Sequence, residues 1–249
     1  MTFIQTLGAG PDLVLVPGCP QPPSDLLPLA EGLASSFRVN LVHLPGWGEA
    51  QDIGDSTDFS GVARDIAELL GDLSAAHWVG CSFGVYRAVY AFSQGLGPPP
   101  LSLIGLGPAV LFDDEQRAAF HGAASVTRAG AAVGPILAGR FLSPAWAASH
   151  PSDLDAVSRF VEGVRVERVA ADLEAIATCP DVRGSIGAIR VPMYFRVGEA
   201  DAATPPPYVK ELAALAANAT VDVVPGAGHL LGREDLPGTI AAIRRFISR

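Results

Sequence analysis

Four short apolar runs, each closed by Gly or Pro and separated by helix-length stretches, constrain this chain more than any other feature. They are "DLVLVPG" (12–18), "FRVNLVHLPG" (37–46), "AAHWVG" (75–80) and "LSLIGLGPA" (101–109). Their β-branched character and length read as strands, and Gly or Pro ends each one in a loop at its C-terminal edge. Between them, "SDLLPLAEGLASS", "DFSGVARDIAELLGDL" and "FGVYRAVYAFSQG" space apolar residues at i, i+3, i+4 and i+7, the pattern of a helix laid on a sheet. Strand and helix in alternation predict a mostly parallel sheet covered on both faces.

Residues 111–189 break that rhythm. "DDEQRAAFHGAASVTRAGAAVGPILAGRFLSPAWAASH" and "DLDAVSRFVEGVRVERVAADLEAI" read as several helices without a convincing strand, so the segment is an insertion into an α/β core made of 1–110 and 190–249. The core pattern resumes with "VPMYFRVGEAD", helix-like "PPPYVKELAALAAN", strand-like "ATVDVVPGAGH" and a closing helix "LPGTIAAIRRFIS". At 249 residues, 49% of them hydrophobic, the chain has enough apolar mass for one sizeable core.

Composition narrows the partners. A formal charge of −9 leaves no basic face for a phosphate backbone or an anionic bilayer, so neither nucleic acid nor membrane is an expected partner. "MTFIQTLGAG" lacks the features of a secretory signal, and no apolar run approaches membrane-spanning length, which reads as a cytoplasmic chain. Cys19, Cys81 and Cys179 fit no CxxC spacing and read as free thiols in a reducing compartment. With five scattered histidines, no metal site is expected.

The chemistry starts at "GCSFG", residues 80–84, set between an apolar strand and a helical pattern. In that context G-x-S-x-G describes a sharp strand-to-helix turn that lifts a serine hydroxyl above the sheet edge and aims a helix N-terminus at it. Side chains two residues to either side would collide in such a turn, which accounts for both glycines. The alternative is an ordinary Gly-rich bend.

A serine hydroxyl attacks a carbonyl only if a base takes its proton, and the base needs an acid to fix its tautomer. In this setting the chain order is Ser, then Asp or Glu, then His. Glu199 and Asp201 follow the strand "MYFRVG", and His229 follows "VDVV" in the Gly-rich loop "PGAGH". Asp201 is the favoured acid and Glu199 its rival; an N-cap for the next helix is the other task open to Asp201. Two backbone N–H donors must face the developing oxyanion. Phe83, following the serine, supplies one. The loop "VPGCPQPP" offers the other through Cys19, because Pro20 has no N–H to give. Cys19 and Cys81 are both expected near Ser82, as small buried thiols. None of this requires a cofactor.

Along nearly its whole length the chain resembles the α/β-hydrolase superfamily, through the ordered set "LPGWGEA", "GCSFG", "VGEAD" and "PGAGH". Its first half looks like esterases that cleave pimeloyl-carrier-protein methyl ester, and its second half, with "GRFLSPAWAASHP" and "VPMYFRVGEADAATPP", looks like 3-oxoadipate enol-lactonases. The resemblance implies a Ser82–His229–Asp201 triad beneath a helical cap formed by 111–189. It also implies a small ester or lactone substrate, free or borne on an acyl carrier. Departures fall mostly around the site. Pro17-Gly18 stands where His-Gly is usual, His43 and Glu49 where Asp and Ser are usual, and Val85 where a second Gly is common. About ten residues precede the first central strand, room for the single strand "FIQTL" where a hairpin is common. A seven-stranded sheet with an antiparallel edge follows.

The insertion carries Phe112, Phe120, Phe141, Trp146 and Phe160. An apolar pocket between cap and sheet is expected, with Trp47, Trp146 and Phe141 in its wall alongside Phe83. Packing between cap helices is the competing task for these aromatics. Arg140, Arg159, Arg165 and Arg168 are equal candidates to anchor a substrate carboxylate. Other chemistry of the same triad, on carbon–carbon bonds or as a lyase, and a non-catalytic ligand-binding role stay open alongside ester hydrolysis.

Overall fold

The structure, a computed structural model, describes residues 3–50, 73, 75–96 and 99–248. The helix expected over 58–73 falls almost wholly outside these residues.

Seven strands form one sheet: β1 (Phe3–Leu7), β2 (Asp12–Val16), β3 (Arg38–His43), β4 (His77–Cys81), β5 (Ser102–Leu106), β6 (Met193–Gly198) and β7 (Ala219–Val224). Their order is β1-β3-β2-β4-β5-β6-β7, with β1 antiparallel to β3 and all other pairs parallel. The sheet is the mostly parallel one that the strand pattern predicts, with the seven strands and the antiparallel edge expected from the family resemblance. The central strands are buried along nearly their whole length, as parallel strands covered on both faces must be, while the edge strand β7 is half-buried or exposed up to its last residue.

Side-chain alternation divides the core into two layers. Val14 and Val16 face one side, where they meet Trp78, Leu103 and the helix α2 (Phe83–Ser93). Leu13 and Leu15 face the other, where Leu26, Leu29 and Leu33 of α1 (Pro23–Leu33) and Ile243 near the C-terminus complete the layer. The i, i+3, i+7 spacing of the three α1 leucines is what turns them together toward the sheet.

Six helices stand between β5 and β6: α3 (Asp114–Arg128), α4 (Gly134–Phe141), α5 (Pro144–Ser149), α6 (Pro151–Ser158), α7 (Val166–Thr178) and α8 (Arg183–Ile186). An Asp113–Gln116 capping box starts α3, which packs on α7 through Ala124, Val169 and Leu173. The remaining α-helices among the described residues are α9 (Pro206–Leu215), α10 (Leu231–Glu234) and α11 (Leu236–Ile247). None of the described helices is long and apolar enough to cross a membrane.

The connection from β2 runs to β3 on one side and the chain then returns to β4 on the other. The crevice outside the C-terminal ends of β2 and β4 is therefore the switch point at which such sheets bind ligands.

Candidate active site

Ser82 sits at that switch point, directly after β4, with φ +49° and ψ −121°. It is the one non-glycine with positive φ among the described residues, a conformation that costs on the order of 1–3 kcal/mol and needs surrounding structure to hold it. That hold is backbone: Ser82 N–H donates to Leu106 O at 2.9 Å, and Ser82 O accepts from Val85 N and Ala109 N, each at 3.1 Å. The flanking glycines are sterically required. A Cβ on Gly80 would come within 2.7 Å of Val85 N, and one on Gly84 within 2.6 Å of Val16 O and 2.7 Å of Pro17 O.

The loops after β6 and β7 meet beside it. His229 Nδ1 lies 2.8 Å from Asp201 Oδ2, both residues being buried. Asp201 Oδ1 accepts from Ala203 N and Thr204 N, each at 2.8 Å, and Thr204 Oγ1 donates to Oδ2 at 3.0 Å. Burial alone would raise the Asp201 carboxyl; His229 and the Thr204 donors outweigh it and hold the group below the usual carboxylate range. An ionised carboxylate only accepts, so Nδ1 is protonated and donates to it. Glu199, the rival acid, instead accepts from Gly226 N at 3.0 Å and is exposed.

Further contacts fix the histidine loop. His229 N donates to Phe141 O at 2.8 Å, and the Phe141 ring lies against the imidazole at 5.2 Å between centroids. Glu234 accepts from Gly228 N at 2.8 Å and from Ser143 N at 3.2 Å, tying the loop to the start of α5.

The loop Pro17–Pro20 faces Ser82 across the crevice. A Cβ on Gly18 would meet Ser82 Cβ at 3.0 Å, so glycine permits the approach. Gly18 N donates to Gln21 Oε1 at 2.9 Å, and Gln21 Nε2 to Asp25 Oδ2 at 2.7 Å. Cys19 and Cys81 both line the crevice with Ser82, as expected of them, and burial pushes both thiols far above their ordinary range. They are protonated space-fillers at neutral pH. All three cysteines are unpaired and buried.

Two spaces open at Ser82. One is a crevice of about 20 Å³ that includes His229, Gln21 and Leu230, room for a single water. The other is a cavity of about 320 Å³ whose walls combine Phe83 with Leu111, Phe112, Phe120, Leu137 and Phe141. The latter is roofed by α3 and α4 and is mainly apolar. Arg140 lines it together with Asp113 and Glu115. Tyr208 also reaches it; its hydroxyl accepts from Val110 N at 2.6 Å and Leu111 N at 2.7 Å, which leaves its own proton to donate.

Of the four expected wall residues, Phe83 and Phe141 line this cavity and Trp47 and Trp146 do not. Trp47 is drawn away because its Nε1 donates to buried Asp172 at 2.7 Å, and the ring packs in the core while bordering a separate groove with His43 and Glu49. Trp146 stacks on His150 at 3.7 Å and donates to Asp153 at 2.8 Å, within the packing between α4, α5 and α6. Among the four arginines, Arg140 alone borders the cavity. Arg159 is exposed beside Glu162, Arg165 is exposed at the start of α7, and Arg168 is buried in an ion pair with Asp172. His43 is buried, accepts from Glu49 N at 3.0 Å, and is kept neutral by desolvation.

Sequence reasoning missed Thr204, Glu234, Arg87 and Asp172. A threonine three residues after Asp201 is a turn pattern that could have been read. Arg87 had a plainer signal, being the one charge in the helix "FGVYRAVYAFS".

A family model described as "Alpha/beta hydrolase family" matches residues 13–243. Pimeloyl-[acyl-carrier protein] methyl ester esterase of Stenotrophomonas maltophilia is 27% identical over 98% of this chain and 96% of its own length. Among solved structures, a thermophilic esterase from Thermogutta terrifontis superposes with TM-score 0.90 at 25% identity, covering 99% of this chain and 93% of that one. The enol-lactonase from Burkholderia xenovorans shares the fold with TM-score 0.84 at 19% identity, covering 100% and 96%. The chain belongs to the alpha/beta hydrolase family.

Proposed function

We propose that the protein hydrolyses a carboxylic ester or lactone through an acyl-enzyme on Ser82. Ser82 Oγ attacks the carbonyl carbon while its proton passes to His229 Nε2, and the carbonyl π pair moves onto oxygen to give a tetrahedral oxyanion. The N–H groups of Phe83 and Cys19 stabilise that charge. Collapse re-forms the carbonyl and expels the alkoxide, which takes the proton from His229; water activated by the same imidazole then releases the acid. Asp201 holds the imidazole in the required tautomer and balances its transient charge.

The observation that carries this reading is a serine strained to φ +49° sharing a crevice with a histidine whose Nδ1 is anchored on a buried carboxylate. Esterase relatives that match almost the whole chain support the same reading. Only the crevice includes His229, so the leaving oxygen belongs there and the acyl or ring portion in the apolar cavity, under 111–189 acting as a cap. Three unpaired cysteines accord with a reducing, cytoplasmic compartment. Hydrolysis of p-nitrophenyl butyrate tests the assignment: Ser82→Ala is expected to remove activity to the level of the uncatalysed reaction, and retained turnover in that variant would refute it.

A further inference from the structure

We propose that Arg87 is a positioning residue for the oxyanion hole, aiming the Cys19 N–H at the reacting oxygen from beneath. The proposal rests on the ester-hydrolase reading above.

Arg87 lies on α2 one turn past Ser82, 3% exposed, in a helix whose residues from Phe83 to Ala91 are all buried. A cation there needs partners, and those it has are parts of the site. Its Nη1 donates to Pro17 O at 3.3 Å and Gly18 O at 3.5 Å. Its Cζ stands 5.0 Å from the centroid of the Phe83 ring. Both residues assigned an oxyanion N–H therefore abut one guanidinium, Phe83 through its ring and Cys19 through the peptide that precedes it.

Peptide geometry then decides where the Cys19 N–H points. The bond between Gly18 and Cys19 is trans, so its C=O and N–H face opposite sides of one rigid plane. With the carbonyl turned toward Arg87, the amide is turned away from it, and Cys19 and Ser82 border the same two spaces. Pro20 cannot substitute, having no N–H. Arg87 is oriented in turn by Asp172 of α7, whose Oδ1 lies 3.9 Å from Nη2 and is shared with Arg168. The loop that takes the place of the usual His-Gly is thus held by a buried cation whose anchor lies in the helical insertion.

The test compares binding of the oxyanion with binding of the substrate. An alkyl trifluoromethyl ketone accepts Ser82 Oγ at its carbonyl carbon, transfers the serine proton to His229, and leaves a stable oxyanion in the hole. In Arg87→Met, kcat for p-nitrophenyl butyrate is expected to fall about 100-fold with KM within about threefold, and affinity for the ketone to fall by a matching factor. Arg87→Lys is expected to recover part of both, since an ammonium can reach one carbonyl but cannot bridge two. Circular dichroism checks that each variant is folded. Wild-type kcat and ketone affinity in folded Arg87→Met would overturn the proposal.

A second measurement does not depend on that variant folding. Selective 15N-cysteine labelling gives amide signals for three residues only. The Cys19 signal, assigned by its loss in Cys19→Ser, is expected to move downfield when the ketone adds to the wild type. An unmoved signal would overturn the proposal. Should Ser82→Ala still form the ketone adduct, the ester-hydrolase reading itself fails. If that adduct is abolished while Arg87→Met is unimpaired, only the role of Arg87 fails.

Discussion

The two walls facing Ser82 are built on different plans. At the acid–histidine wall the contacts that hold Asp201 lie within two neighbouring strand-end loops, with Asp201 and His229 28 residues apart and Thr204 adjacent in the turn, although the histidine loop is also tied to Phe141 and, through Glu234, to Ser143. At the Pro17–Pro20 wall the support from beneath comes from Arg87, some 70 residues away, and from Asp172, further still. The first is a locally satisfied hydrogen-bond cluster; the second is a loop stabilised by buried charge. Local clusters tolerate change elsewhere in the molecule, whereas a loop held by a distant ion pair inherits the stability of everything that positions that pair.

The contrast can be broken from either side. Asp201→Asn keeps the shape of the first wall but favours the wrong imidazole tautomer, so kcat for p-nitrophenyl butyrate is expected to fall about 10⁴-fold with the fold retained. Asp172→Ala removes the carboxylate shared by Arg87, Arg168 and Trp47, so its main effect is on stability. A loss of about 3–5 kcal/mol is expected by urea denaturation, accompanied by a smaller fall in kcat. If Asp172→Ala were instead neutral to stability, the second wall would not depend on buried charge.

The smallest effect sharpens the first wall. Because the Asp201 carboxyl is held below its ordinary range in the folded state, its contribution to stability is complete above the usual carboxylate range and is lost as pH falls through the depressed value. Urea denaturation should show wild type and Asp201→Asn separated at pH 7 and drawing together as pH falls below the usual carboxylate range. A constant separation would mean that the carboxylate is not stabilised as described.

The same contrast explains what could be read from the residues alone. The parallel strands, and the placing of Ser82, Asp201 and His229 just beyond strand ends, follow from short-range signals: an apolar run, a Gly or Pro stop, and a polar residue after it; the seven-strand count and the antiparallel edge come from the family resemblance. Residue type and loop position favour Asp201 over Glu199, two residues apart, and the turn places the first carboxylate under the imidazole and the other toward Gly226. Trp47 and Trp146 misled for a related reason. An aromatic near a pocket in sequence goes where its N–H finds an acceptor, and each found an aspartate elsewhere. Arg168 was weighed as a substrate anchor and Arg87 passed as one position of a helix facing the sheet. Only the tertiary fold, which brings Asp172 of α7 to Arg87 of α2, makes the two share one carboxylate.

The central claim is that Ser82 is a nucleophile activated by His229. Its most direct test is intact-mass analysis after treatment with a fluorophosphonate, followed by peptide mapping. The account predicts one adduct per chain, on Ser82, formed at a rate that collapses in His229→Ala. An active wild-type enzyme that acquires no adduct, or acquires it on a residue other than Ser82, would contradict it.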